Sequence, residues 1–137
     1  MFWNQKENLS ETLGISYEEE WNEILKIFNE STSQKEFKEK LKKMPNIILA
    51  AGVERIISEI INSVSPRLFY EYLPSVFQVI QLLIESIPDE YNLESQSQIV
   101  KFIAQFPKEY LIMLLWFFFS EIGKLEKLAD LLPLKVK

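Results

Sequence analysis

The chain has 137 residues, of which 47% are hydrophobic and 26% charged, and its formal net charge is −5. This length fits one domain with a dense core, and the acidic balance disfavours a general binder of nucleic acid or anionic membranes. The chain contains neither cysteine nor histidine, which excludes disulfides, thiolate metal sites and catalytic triads built on either residue. We therefore expect no metal, no cofactor and no enzymatic activity, and an all-α enzyme that uses carboxylate chemistry is the third hypothesis, behind the two given below.

Residues 1–15 are predicted to form a flexible or loosely docked segment ahead of a single helical domain over residues 16–137. The pair Phe2 and Trp3 either inserts into the groove of a protein partner or folds back onto the bundle. The segment lacks the order of basic, apolar and small residues that is typical of a secretory signal. We therefore expect an intracellular protein.

Two capping boxes of the form S-x-x-E predict the first two helices. Ser16 pairs with Glu19 in the first box, and Ser33 pairs with Glu36 in the second. In such a box each side chain accepts a hydrogen bond from a free backbone N–H group at the start of the helix. The second helix is expected to end before Pro45, which lacks a backbone N–H group.

The second predicted helix, KEFKEKLKK, carries five lysines. These lysines either face solvent near the negative end of the helix dipole, or contact the phosphates of a nucleic acid. The candidates for phosphate contact are Lys35, Lys38, Lys42 and Lys43. A nucleic-acid-associated helical subunit is therefore the alternative hypothesis for function.

The third predicted helix covers about residues 46–64 and has a clear apolar face. That face consists of Leu49, Val53, Ile56, Ile57, Ile60 and Val64. The positions expected to face solvent are Glu54, Arg55, Ser58, Glu59 and Asn62. The spacing is that of an amphipathic helix.

A fourth helix is predicted to begin at Ser65-Pro66, because proline suits the first helical position. Pro74 is expected to kink or split it. The part that follows is apolar except for a stripe of Gln78, Gln81 and Glu85. This stripe either lines a polar pocket or bundle interface, or simply faces water.

Residues 88–95 are predicted to form a loop, followed by a helix over about 95–106. Pro107 then introduces an apolar helix that is expected to stop at Gly123, a typical C-terminal cap. A last short helix is predicted over 124–132. Together these elements predict an all-α bundle of about six to seven helices around a central apolar helix at about 108–122.

The central helix contains ten consecutive apolar residues, Tyr110 to Phe119. This run is about 15 Å long and too short to cross a membrane, which needs about 20 residues. On a helical wheel its deepest side holds Leu111, Leu114, Leu115, Phe118 and Ile122. Glu109 and Ser120 lie opposite, flanked by Met113 and Trp116, and we name these four residues the Met113–Trp116 seam.

The sequence therefore predicts a non-enzymatic interaction protein, acting as a homodimer or as a small subunit of a larger assembly. The candidate contact residues are Met113 and Trp116, because exposed Met and Trp are enriched at interfaces, together with Phe2 and Trp3. A virus-encoded or mobile-element-encoded protein fits this profile. The high content of Lys, Glu and Ile is compatible with a thermophilic source.

Overall fold

The computed structural model describes residues 17–62, 66–92 and 95–131, and this part of the chain forms seven helices and no strand. In chain order the helices are α1 (Glu18–Glu30), α2 (Gln34–Leu41), α3 (Asn46–Ile61), α4 (Pro66–Tyr72), α5 (Pro74–Glu85), α6 (Gln96–Ile103) and α7 (Lys108–Leu131). Their buried side chains form one continuous core. The all-α bundle and the number of helices are confirmed. Phe2, Trp3 and the predicted segment 1–15 lie outside the described residues.

The start of α2 shows one bond of the predicted capping box, while the glutamate reaches one residue beyond the N-cap Ser33. The Ser33 hydroxyl accepts a hydrogen bond from the Glu36 N–H group at 3.2 Å. The Glu36 carboxylate accepts from the backbone N–H and the hydroxyl of Thr32, at 3.0 and 2.9 Å. These bonds, helped by Lys40, lower the pKa of Glu36 to about 2. The first predicted box is not observed, since α1 has Tyr17 at its N-cap without a side-chain bond and Ser16 lies outside the described residues.

The centre of the bundle is shared by α3 and α7. Helix α3 packs against α1, α4, α6 and α7, so it is enclosed on nearly every side. Its buried residues are Ile48, Leu49, Ala50, Ala51, Gly52, Val53, Glu54, Ile56, Ile57 and Ile60. Helix α7 buries the predicted deep face, including Leu111, Leu114, Leu115 and Phe118, while Ile122 is half-buried.

Five aromatic rings in the core join α1, α2 and α7. They are Trp21, Phe28, Phe37, Trp116 and Phe119, and neighbouring ring centroids lie 5.1 to 6.5 Å apart. Most of these contacts are tilted or edge-on, the arrangements that the ring quadrupoles favour. The cluster fixes the α1–α2 hairpin onto α7.

Three long-range hydrogen bonds, from two side chains, tie helix ends together. Asn46, the first residue of α3, donates from Nδ2 to the carbonyl oxygens of Ala104 and Phe106, at 3.4 and 3.1 Å. Lys108, the first residue of α7, donates from Nζ to the carbonyl oxygen of Lys42 at 2.9 Å. The carbonyls that follow α2 and α6, which have no intrahelical partner, are thereby satisfied.

The structure confirms one predicted break and overturns another. Pro74 does separate α4 from α5, with Leu73 outside the helical backbone region at φ −130° and ψ 55°. Gly123 does not end a helix, because α7 continues without interruption to Leu131. Glycine only weakens a helix interior, whereas proline removes a backbone donor and clashes with the preceding turn.

Candidate interaction surface and buried polar cluster

A groove of about 620 Å³ lies along α5, between this helix, α4 and the end of α3. Its apolar lining consists of Ile61, Tyr70, Pro74, Phe77, Ile80 and Ile84. Tyr70 projects from α4 and is 62% exposed, with its ring edge-on to Phe77 at a centroid distance of 5.9 Å. A groove of this volume has room for the side chains of a ligand or partner.

Gln78, Gln81 and Glu85 form the polar rim of the same groove. All three are exposed, and Gln81 donates from Nε2 to the Glu85 carboxylate at 3.0 Å. The stripe that the sequence indicated therefore both faces water and lines a groove. Leu82, which is 60% exposed, lies beside this rim on the side away from the groove. We name the groove, its rim and Leu82 the α5 surface.

No local sequence pattern selects Tyr70, because its place in the groove depends on the packing of α4 against α5. Leu82 did carry a signal, since it is a large apolar residue on the polar side of the α5 wheel. Tyr70 and Leu82 have the highest exposed fractions among the exposed large hydrophobic residues of the described chain.

The Met113–Trp116 seam is divided between core and surface. Met113 is 44% exposed, whereas Trp116 is half-buried and packs against Phe28 and Phe37, at centroid distances of 5.1 and 5.4 Å. Glu109 is exposed and pairs with Lys38 at 3.4 Å. Only the Met113 end of the seam is therefore open to a partner.

The lysine-rich helix α2 is partly neutralised by carboxylates. Lys38 pairs with Glu109, and Lys42 pairs with Glu39, both at 3.4 Å. The other two candidates for phosphate contact, Lys35 and Lys43, are exposed. Because two of the four lysines share their charge with a glutamate, the positive field of this face is weaker than the sequence suggested.

The predicted solvent exposure of Glu54 is wrong, because its side chain is fully buried. The small residues Ala50, Ala51 and Gly52 let neighbouring helices approach α3 closely. A methyl group added at Gly52 would lie 3.4 Å from Leu115 and 3.5 Å from Trp21. Position 54 therefore falls on a helix surrounded by protein, although its spacing alone suggested the polar face.

Only one of the two carboxylate oxygens of Glu54 has a hydrogen-bond partner. Its Oε1 accepts from Gln96 Nε2 at 2.9 Å, while its Oε2 is buried without a partner, as is the Tyr17 hydroxyl oxygen. Burial raises the pKa of Glu54 to about 7, against the opposing effects of the Gln96 bond and the Arg55 charge. Burial likewise raises the pKa of Tyr17.

Arg55 covers Glu54 and Tyr17, which we name the Glu54 cluster, from the solvent side. Its guanidinium lies 4.8 Å from the centroid of the Trp21 ring and 5.9 Å from that of Tyr17. It also pairs with Glu18 at 2.7 Å and Glu59 at 3.6 Å. The arginine thus stacks on the aromatic wall of the bundle while its charge is shared with two exposed carboxylates.

Within residues 17–62, 66–92 and 95–131, no group of three or more acidic side chains is arranged to hold a metal ion. No single helix in these ranges combines the length and apolar content needed to cross a membrane. Helix α6 and the first part of α7 reach those values only together, as a pair bent by 116°.

Comparisons of the chain with protein-family models, with curated proteins and with solved structures gave no match. The fold defines the class of protein as a single all-α bundle. The α5 surface and the buried Glu54 cluster are its most distinctive features.

Proposed function

We propose that the chain is a non-enzymatic, intracellular interaction domain that acts as a homo-oligomer or as a small subunit of a larger assembly. The observation that carries this proposal is the α5 surface. It combines an apolar groove of about 620 Å³ with Tyr70 and Leu82, two apolar side chains that are 62% and 60% exposed. An apolar centre with a rim of amides and a single carboxylate is the composition of a protein-binding site.

Two physical features of this surface favour a protein partner. Tyr70 offers a large rigid contact area with a hydroxyl group at its tip, and tyrosine is among the residues that dominate binding energy at interfaces. The rim carries one formal charge, on Glu85, so little desolvation of charge opposes association. The remaining polar groups are glutamine amides, which both donate and accept hydrogen bonds.

Site-specific photo-crosslinking in the cells that normally produce the protein tests this proposal. A benzophenone amino acid at Gln78 is expected to give a covalent protein adduct of defined mass. The same amino acid at Glu23, which is exposed on α1, serves as the control and is expected to give none. Tyr70→Ala should abolish the Gln78 adduct, because the substitution removes one wall of the groove.

The absence of an adduct at Gln78 would contradict the proposal. Equal labelling from Gln78 and Glu23 would also contradict it, because such labelling reports random encounters instead of a bound partner. An adduct that survives Tyr70→Ala would place the contact away from the groove.

A further inference from the structure

The exposed Tyr70 projects at one end of the α5 surface, and the recess of the groove extends to Ile84 at the other end. Tyr70 stands beside Phe77, near the N-terminal end of the groove, and Ile84 lines the C-terminal end. Seven residues separate Phe77 from Ile84, which is about 10 Å along the helix. If the α5 surfaces of two copies of the chain pack together with their helices antiparallel, Tyr70 of each copy lies next to the Ile84 end of the other copy's groove.

The charge on α5 is also arranged asymmetrically. Glu85 is the only charged residue of the helix and lies at its C-terminal end, while the Gln78 amide lies two turns earlier. An antiparallel pairing sets each Glu85 against Gln78 of the other copy, whose side-chain amide can donate a hydrogen bond to the carboxylate. A parallel pairing would set the two Glu85 carboxylates face to face.

We infer that the partner of the α5 surface is a second copy of this chain, in a twofold-symmetric dimer with the two α5 helices antiparallel. Tyr70 of each copy enters the groove of the other beside Ile84, and Glu85 accepts a hydrogen bond from Gln78 of the other copy. A twofold axis perpendicular to the two α5 helices makes them antiparallel and places the groove of one copy against the groove of the other. This inference rests on the proposed function.

The polar groups of the rim are compatible with this arrangement. Gln81 engages one oxygen of the Glu85 carboxylate, and a carboxylate has lone pairs for further donors. With Glu85 opposite Gln78 of the other copy, the two Glu85 carboxylates lie about seven residues, or about 10 Å, apart along the helix. This spacing is close to the Debye length of about 10 Å at 0.1 M salt, so the repulsion between the two carboxylates is partly screened.

Analytical ultracentrifugation of the purified full chain tests the dimer through its charge pattern. Gln78→Glu places a second carboxylate opposite Glu85 and is expected to weaken dimerisation by about tenfold or more. The double variant Gln78→Glu with Glu85→Lys restores opposite charges across the contact, and dimerisation should return. Gln34→Glu, the same change at an exposed position on α2, is the control and should have no effect.

Three results would overturn the inference. The first is a wild-type chain that stays monomeric up to about 1 mM, a concentration at which even weak association is measurable. The second is a dimer whose stability Gln78→Glu leaves unchanged. The third is a dimer that Gln78→Glu weakens and that the double variant does not restore. A monomeric chain that still crosslinks from Gln78 to a different protein would refute the second copy and leave the proposed function intact. Circular dichroism of each variant confirms that its fold is retained.

Discussion

Among the single residues, Glu54 carries the clearest physical consequence. A buried carboxyl whose pKa is about 7 in the folded chain and about 4.5 when exposed binds its proton more tightly in the folded state. Folding therefore takes up a proton between these two pH values. The stabilisation that the protonated Glu54 carboxyl provides is fully present below about pH 4.5 and is lost as the pH rises through about 7. It is lost because the charged carboxylate is buried with one oxygen unpaired.

We expect the free energy of unfolding to fall by about 3 kcal/mol between pH 4.5 and pH 8, since each pH unit between the two pKa values contributes about 1.4 kcal/mol. Glu54→Gln keeps the shape of the side chain and removes its charge. This variant should be more stable than the wild type at pH 8, and its stability should vary little across the same range. Urea unfolding at several pH values measures both effects.

Glu59→Gln is the matched control for this experiment. It lies on the same helix, is exposed and pairs only loosely with Arg55, at 3.6 Å, so its pH profile should follow that of the wild type. Glu36 interferes little, because its pKa is about 2 in the folded chain and 4.5 when unperturbed, so the stability it contributes is lost mainly as the pH falls below about 4.5. A wild-type stability that is flat between pH 5 and pH 8 would show that Glu54 is not held as described.

Among the helices, α7 gives the sharpest test of a boundary. Gly123 lies inside this helix, and a methyl group added there would meet no atom within 4 Å. Gly123→Ala should therefore stabilise the protein by about 0.5–1 kcal/mol, because alanine restricts the unfolded chain and favours the helix. Thermal or chemical unfolding measures the change.

The comparison variant is Gly52→Ala, where the added methyl group would already touch Leu115 at 3.4 Å and Trp21 at 3.5 Å. Its gain should be at least as large, since these distances are ordinary van der Waals contacts and the added methyl group would be buried. If Gly123 instead ended the helix in a left-handed conformation, as the sequence suggested, Gly123→Ala would be destabilising.

The helix starts were the part of the fold that the sequence predicted well. Ser33, Pro66, Pro74 and Ser95 each act on their own turn of backbone, so their effect can be read without knowing the tertiary structure. Glycine ends a helix less reliably than proline does. For this reason the helix end predicted at Gly123 is wrong. The side of a helix that is buried depends on how many neighbours surround it.

The candidate surface was predicted only in part for the same reason. The stripe of Gln78, Gln81 and Glu85 was visible on one helix, but the groove also needs Ile61 and Tyr70, which belong to two others. No local pattern brings these helices together. The two ends of the Met113–Trp116 seam differ in exposure, which a wheel cannot show, because the α1–α2 hairpin covers Trp116 while Met113 stays open.

For the molecule as a whole, Met113→Lys distinguishes between the two candidate surfaces for self-association, the seam and the α5 surface. Met113 is 44% exposed, so a lysine there keeps its ammonium group in water and the protein should stay folded. Its oligomeric state, measured by light scattering, should equal that of the wild type, because the inferred contact lies on α5. Leu114→Lys is the control, since this neighbour is 4% exposed and the variant should unfold.

A folded Met113→Lys variant that becomes monomeric would transfer the dimer contact to the seam and refute the antiparallel arrangement of α5. Loss of folding in this variant would contradict the observed exposure of Met113.

The enclosure of α3 has a consequence for the birth of the chain on the ribosome. Helix α3 is completed at Ile61, but two of the helices that cover it, α6 and α7, begin only at Gln96 and Lys108. At about 5–20 residues per second, the apolar sides of α3 wait roughly 2–9 s for α7 to start emerging. During this interval the nascent chain exposes apolar surface of an incomplete bundle. To complete its folding, the chain must either aggregate slowly or be bound by a chaperone that covers α3 until translation ends.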